Sequence, residues 1–71
     1  MYNIIIMKIL LDKIMTEKNL STRQVERMTG ISSSSVGRIR NGDVSPTADT
    51  LEALAKGLNV RITDLIESPY K

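Results

Sequence analysis

The chain has 71 residues, no cysteine, no histidine, two tyrosines as its only aromatics and a formal charge of +2. Such a length supports one domain near the lower limit for an unaided hydrophobic core. Disulfides and the common zinc sites are excluded, so cohesion has to come from packing or a partner subunit, in a chain that needs no oxidising compartment.

The first residues, Met1 to Ile6, are rich in strand formers and admit three readings: an unstructured start, a short strand or a first helical turn. The apolar stretch Ile4 to Met15 is interrupted by Lys8, Asp12 and Lys13, is too short to span a bilayer and is followed by no small-residue cleavage site. No membrane anchor or signal peptide is expected, and a cytoplasmic location is. Met7, Leu10, Leu11 and Ile14 recur at i, i+3, i+4 and i+7, which predicts an amphipathic helix from about 7 to 18 that ends near Asn19. Ile5, Ile9 and Met15 fall off that stripe, either as a broader buried face, as ordinary exposed groups or as a patch for a second subunit.

Ser21 is a good N-cap for a helix over Thr22 to Thr29, and Gln24 three residues later completes a capping box. Gly30 permits a left-handed turn. Ser32 is placed to cap a further helix ending near Arg40, and Asn41-Gly42 supplies its stop. Four serines and Gly37 are poor helix formers, and alone they read as a loop. Val25, Thr29, Ile31, Val36 and Ile39 nevertheless share one spacing, so both helices and the turn can point into one core. The second helix then shows Ser33, Ser34, Gly37, Arg38 and Arg40 outward. Glu26 needs either the edge of the hairpin or a partner among Arg23, Arg27 and Arg38. Charge concentrates in this region. From Lys18 to Gly42 five basic side chains face one acid, net +4, against −2 for the rest of the chain, the footprint of a phosphate-binding face.

After a loop at Asp43 to Ser45, a helix runs to about Leu58, capped either by Ser45 with Pro46 in the first turn or by Thr47. Leu51, Leu54, Ala55 and Leu58 form its buried stripe, and Asn59 can end it in the left-handed conformation. Ile62, Leu65 and Ile66 predict a short last helix with Thr63 and Asp64 outside, and 68–71 is a tail. The expected architecture is a compact five-helix bundle, all-α, without linker or internal repeat.

Thr22 to Asn41 resembles the helix-turn-helix of the Cro/CI-type (Xre-like) DNA-binding regulators. The likeness continues upstream at Leu20-Ser21 and downstream at Asn41-Gly42, Pro46, Thr50-Leu51, Leu54-Ala55 and Val60 to Leu65, so about 10–66 is covered. The sequence departs at Glu26, where a small residue is usual, and at Arg61, where a serine cap is common. The resemblance implies a lambda-repressor-like domain whose second hairpin helix enters the major groove of double-stranded DNA. It places Ser33, Ser34 and Arg38 at base edges with Ser35 and Gly37 close by, Thr22 and Arg23 at one phosphate, Arg40, Asn41 and the Gly42 to Ser45 loop at a second, and Ser32 among the phosphate contacts. Arg38 is the specificity candidate, because its guanidinium can fork onto guanine O6 and N7. A homodimer on paired half-sites and a transcriptional regulator, a repressor above all, are implied.

Catalysis is not expected. Histidine, cysteine, a glycine-rich phosphate loop and metal-spaced ligands are missing, and the acids are spread along helix surfaces and loops. No cofactor, metal or small-molecule ligand is expected. The rival is a protein-interaction module, an antitoxin or anti-repressor-like adaptor on the same fold.

Overall fold

The computed structural model describes residues 8–70. Residues 1–6, with Ile5, and the placing of Met7 on the first helical stripe lie outside the described residues. In chain order the elements are β1 (Lys8–Ile9), α1 (Leu11–Lys18), α2 (Thr22–Thr29), α3 (Ser33–Asn41), α4 (Ala48–Leu58), a 3-10 turn (Ile62–Leu65) and β2 (Ile66–Glu67).

Local chemistry explains most of these boundaries. The Ser21 hydroxyl accepts from the Gln24 amide at 3.2 Å while the Gln24 side-chain oxygen accepts from the Ser21 amide at 2.8 Å, so two amides that the first turn of α2 would orphan are satisfied reciprocally. Ser32 caps α3 and Thr47, of the two candidates, caps α4, each accepting the amide three residues on. Asn19 and Asn59 end α1 and α4 in the left-handed conformation, and Gly30 and Gly42 end α2 and α3.

The core is Leu11, Ile14, Met15, Val25, Val36, Ile39, Leu54, Ala55, Leu58 and Leu65, bordered by half-buried Ile9, Leu20, Ile31, Leu51, Val60 and Ile66. Helix α2 sits centrally, packing on both α3 and α4, while α1 meets α3 and the 3-10 turn rests on α4. No helix among the described residues is long and apolar enough to cross a membrane.

The all-α helix-turn-helix fold is as expected, with two corrections and one open alternative decided. The first helix starts at Leu11 rather than near residue 7, because Lys8 and Ile9 pair antiparallel with Glu67 and Ile66 and the Leu10 amide donates to the Leu65 carbonyl at 2.7 Å. Within that helix Met15, off the predicted stripe, is fully buried, so the broad buried face is the correct reading. The fifth helix is only a four-residue 3-10 turn: Ile66 leaves it for the strand pair, and Ile62 is 44% exposed rather than buried. Its start is held without the usual serine, since the Asp64 carboxylate accepts from the Arg61 amide at 3.0 Å. The four-α-helix count and two-residue ribbon therefore replace the five-helix bundle.

Candidate nucleic-acid interface

Helices α2 and α3 are joined by Gly30 to Ser32, and Thr29 fastens the corner. Its hydroxyl donates to the Val25 carbonyl at 2.7 Å and accepts from the Ile31 amide at 3.1 Å, tying the end of α2 to the chain leaving it. Helix α3 is then oriented by Val36 and Ile39, which are 0% and 4% exposed against the core. With that side committed, Ser34 and Arg38 are exposed and Ser33, Ser35 and Gly37 half-buried around the outer surface.

The serines are not equivalent. Ser32 accepts from the Ser35 amide at 3.3 Å and donates to the Ser35 hydroxyl at 3.0 Å, and the Ser34 hydroxyl lies 3.4 Å from that of Ser32. Ser35 is thus part of the cap, whereas Ser34 stands on its exposed margin. Position 37 is open: among the described residues, a Cβ built there would meet no atom beyond its own helix turn within 4 Å. Packing inside the chain gives no reason for a glycine in mid-helix, where it costs about 1 kcal/mol relative to alanine. The space it leaves lies on the outer face.

Of the other sequence-expected residues, Thr22 is half-buried and Arg23 exposed in the first turn of α2. The capping box occupies the amides of Ser21 and Gln24, so the Thr22 and Arg23 amides are the ones left directed past the helix end, where the helix dipole favours negative charge. Arg40, Asn41 and Gly42 cluster at the other end of α3. Arg40 is not simply exposed: its Nε donates to the Asp12 carboxylate at 2.6 Å, joining α3 to α1. Glu26 lies exposed at the hairpin edge and makes no ion pair among the described residues.

Sequence reasoning missed two residues that shape this surface. Asp12 has the signature of an ordinary first-turn acid, and only the tertiary approach across 28 residues gives it Arg40. Gly57 sits where a Cβ would come within 2.4 Å of the Met28 carbonyl oxygen, so it lets α4 back tightly onto the end of α2 and hold the hairpin from behind. Nothing in the pattern around residue 57 marks that approach. Among the described residues there is no cluster of acids or other ligands that could hold a metal ion.

A family model described as the Cro/C1-type helix-turn-helix DNA-binding domain matches residues 10–69. Among solved structures, an HTH_3 family transcriptional regulator from Vibrio cholerae is 32% identical with a TM-score of 0.72, over 75% of this chain and 30% of that one. The chain therefore spans under a third of that regulator's length. A candidate DNA-binding protein from Bacteroides fragilis is 26% identical with a TM-score of 0.77, over 87% of this chain and 100% of that one. A search of curated proteins returned no match.

Proposed function

Because the chain belongs to the Cro/C1-type helix-turn-helix DNA-binding domain family, we propose that it is a transcriptional regulator, acting as a repressor, that recognises a specific duplex sequence with α3 in the major groove. The carrying observation is the division of α3 into two sides, Val36 and Ile39 buried and Ser34, Gly37 and Arg38 turned outward, with nothing from other elements among the described residues within 4 Å of a Cβ built at position 37. A major groove about 12 Å wide admits a helix whose outer side is short and polar.

In this reading Ser33, Ser34 and Arg38 meet base edges, with Ser35 and Gly37 beside them. Serine hydroxyls both donate and accept and discriminate weakly, so Arg38 carries most of the sequence choice through guanine O6 and N7. Thr22, Arg23 and Ser32 hold one backbone phosphate, using the amides at the start of α2 and its dipole. Arg40, Asn41 and Gly42 hold another. A symmetric dimer places two copies of α3 one helical turn apart, about 34–36 Å, on a palindromic operator. Repression then needs only occupancy of that operator, and the protein works in the cytoplasm, where bacterial and phage operators lie.

The test is selection of bound duplexes from a random pool, followed by anisotropy on the enriched site. Two inverted half-sites about 10 base pairs apart support the dimer; enrichment of a lone half-site sinks it, and no enrichment sinks sequence reading altogether. On the selected site Arg38→Ala should lose about 1–3 kcal/mol and relax one base pair, whereas Arg23→Ala should weaken all sequences alike and flatten the salt dependence. Equal losses for Arg38→Ala on selected and random DNA would remove Arg38 from the bases. If no duplex is bound while a toxin-sized protein is captured, the interaction-module reading takes its place.

A further inference from the structure

Beside the far end of α3, where Arg40, Asn41 and Gly42 have been given a backbone phosphate, lies a cleft of about 350 Å³ that these residues line together with Ile39, Ser45 and Lys8, a residue to which no role has been given. Lys8 arrives there on β1, the short strand that β2 holds in place, and is exposed. Arg40 arrives from the last turn of α3, with its guanidinium fastened on one edge by Asp12. We propose that this cleft is a seat for one DNA backbone phosphate, with Lys8 and Arg40 as its two cations and Asp12 as the residue that positions Arg40. The proposal rests on the DNA-binding reading above and adds Lys8 and Asp12 to it.

Three features of the cleft fit a phosphodiester. Among the described residues the charged side chains that line the cleft, Lys8 and Arg40, are both cations, as a negatively charged phosphodiester requires. The guanidinium has five N–H donors in a planar fork; Asp12 engages Nε, which leaves the Nη edge as the part able to grip a second anion. Its side chain is 32% exposed and that of Asp12 63%, so the fork is held at the margin of solvent rather than buried. The end of a helix is normally unfavourable for an anion because of its free carbonyls. Here the Ile39 and Arg38 carbonyls already accept from the Gly42 and Asp43 amides at 3.1 and 2.9 Å, and the two cations outweigh the remaining partial charge.

A fixed arginine differs from a neutralised one in a measurable way. If Asp12 only cancelled charge, removing it would strengthen binding to a polyanion. If it orients the fork, removing it weakens binding in spite of the gain in positive charge. The experiment is fluorescence anisotropy of the full chain on the selected duplex and on a random duplex of equal length, over a salt series, with melting temperatures recorded alongside. Lys8→Ala and Arg40→Ala should each weaken both duplexes about three- to tenfold and lower the slope of log K against log salt by about 0.9. Asp12→Ala should also weaken both, and Asp12→Ala with Arg40→Ala should match Arg40→Ala alone, since the pair acts as one unit. Tighter binding by Asp12→Ala, or additive losses in the double variant, would overturn the positioning role. Unchanged salt slopes in Lys8→Ala and Arg40→Ala would overturn the seat while leaving the DNA reading intact if Arg38→Ala still loses the selected site. A native chain that binds no duplex would instead defeat the DNA reading itself.

Discussion

Two glycines in helical conformation offer a paired experiment, because the same substitution should move stability in opposite directions. At Gly57 an alanine methyl would fall 2.4 Å from the Met28 carbonyl oxygen, 2.6 Å from the Thr29 methyl and 2.9 Å from the Met28 carbonyl carbon. Non-bonded carbons settle about 3.5–4.0 Å apart, so α4 and the end of α2 would have to separate by about 1 Å. Two of the three obstacles are backbone, and they belong to the turn that Thr29 fastens, so no rotamer change relieves the overlap. Overpacking of this kind costs typically about 1–3 kcal/mol and occasionally more, against a helix-propensity gain of about 1. A methyl pressed into a backbone carbonyl belongs at the upper end of that range, and a net loss of about 1–2 kcal/mol is expected. For a domain of this size that lowers the melting temperature by about 4–16 °C. Gly37→Ala meets nothing within 4 Å and should keep the whole propensity gain, raising Tm by up to about 8 °C. Thermal and urea unfolding followed by circular dichroism reads both. A Gly57→Ala chain as stable as the native one would refute the close approach of α2 and α4. A Gly37→Ala chain less stable than native would mean that the outer face of α3 is covered in the free protein, and with it the proposed reading surface would fall.

Gly37→Ala should also bind the selected duplex more weakly while folding more firmly; unchanged affinity would place the groove contact elsewhere on the helix. Replacing Ser21 by Ala removes one half of the capping box and should cost about 0.5–2 kcal/mol, measured as a shift in urea midpoint at constant slope. Helix α3, with its serines and central glycine, should exchange its amides faster than α4 in free protein and slow on binding DNA, as hydrogen exchange would show; equal protection without DNA would contradict this.

The hairpin was legible in the sequence because its signals are local. The capping box at Ser21 and Gln24, the left-handed glycines 30 and 42 and the Asn59 stop each act within four residues, and all are found where the pattern put them. What the pattern could not convey are contacts between distant segments. Ile9 continues the apolar run into α1, yet its pairing with Ile66 draws it into a strand instead. Met15 falls off a one-sided stripe, but α1 is covered broadly enough to bury it completely. The 3-10 turn is short because β2 claims the residue that would have extended it. Gly57 and Asp12 look like an ordinary helix glycine and an ordinary surface acid until Met28 and Arg40 are brought beside them.

This division also bears on how α3 can be both poorly helical and well placed. Its outward residues contribute little to helix formation, and Gly37 opposes it, so the helix is held by Ser32 at one end, Gly42 at the other and the burial of Val36 and Ile39. Burying two branched side chains contributes about 1.5–3 kcal/mol each, more than the roughly 1 kcal/mol glycine penalty. Stability and the proposed recognition thus rest on different residues of one helix. In the proposed reading positions 33, 34, 37 and 38 can vary with the bases they would face at little cost to the fold, whereas Val36→Ala or Ile39→Ala should unseat the whole surface at once. A chain in which Val36→Ala abolished selectivity for the operator without lowering Tm would show that the two roles are not separate.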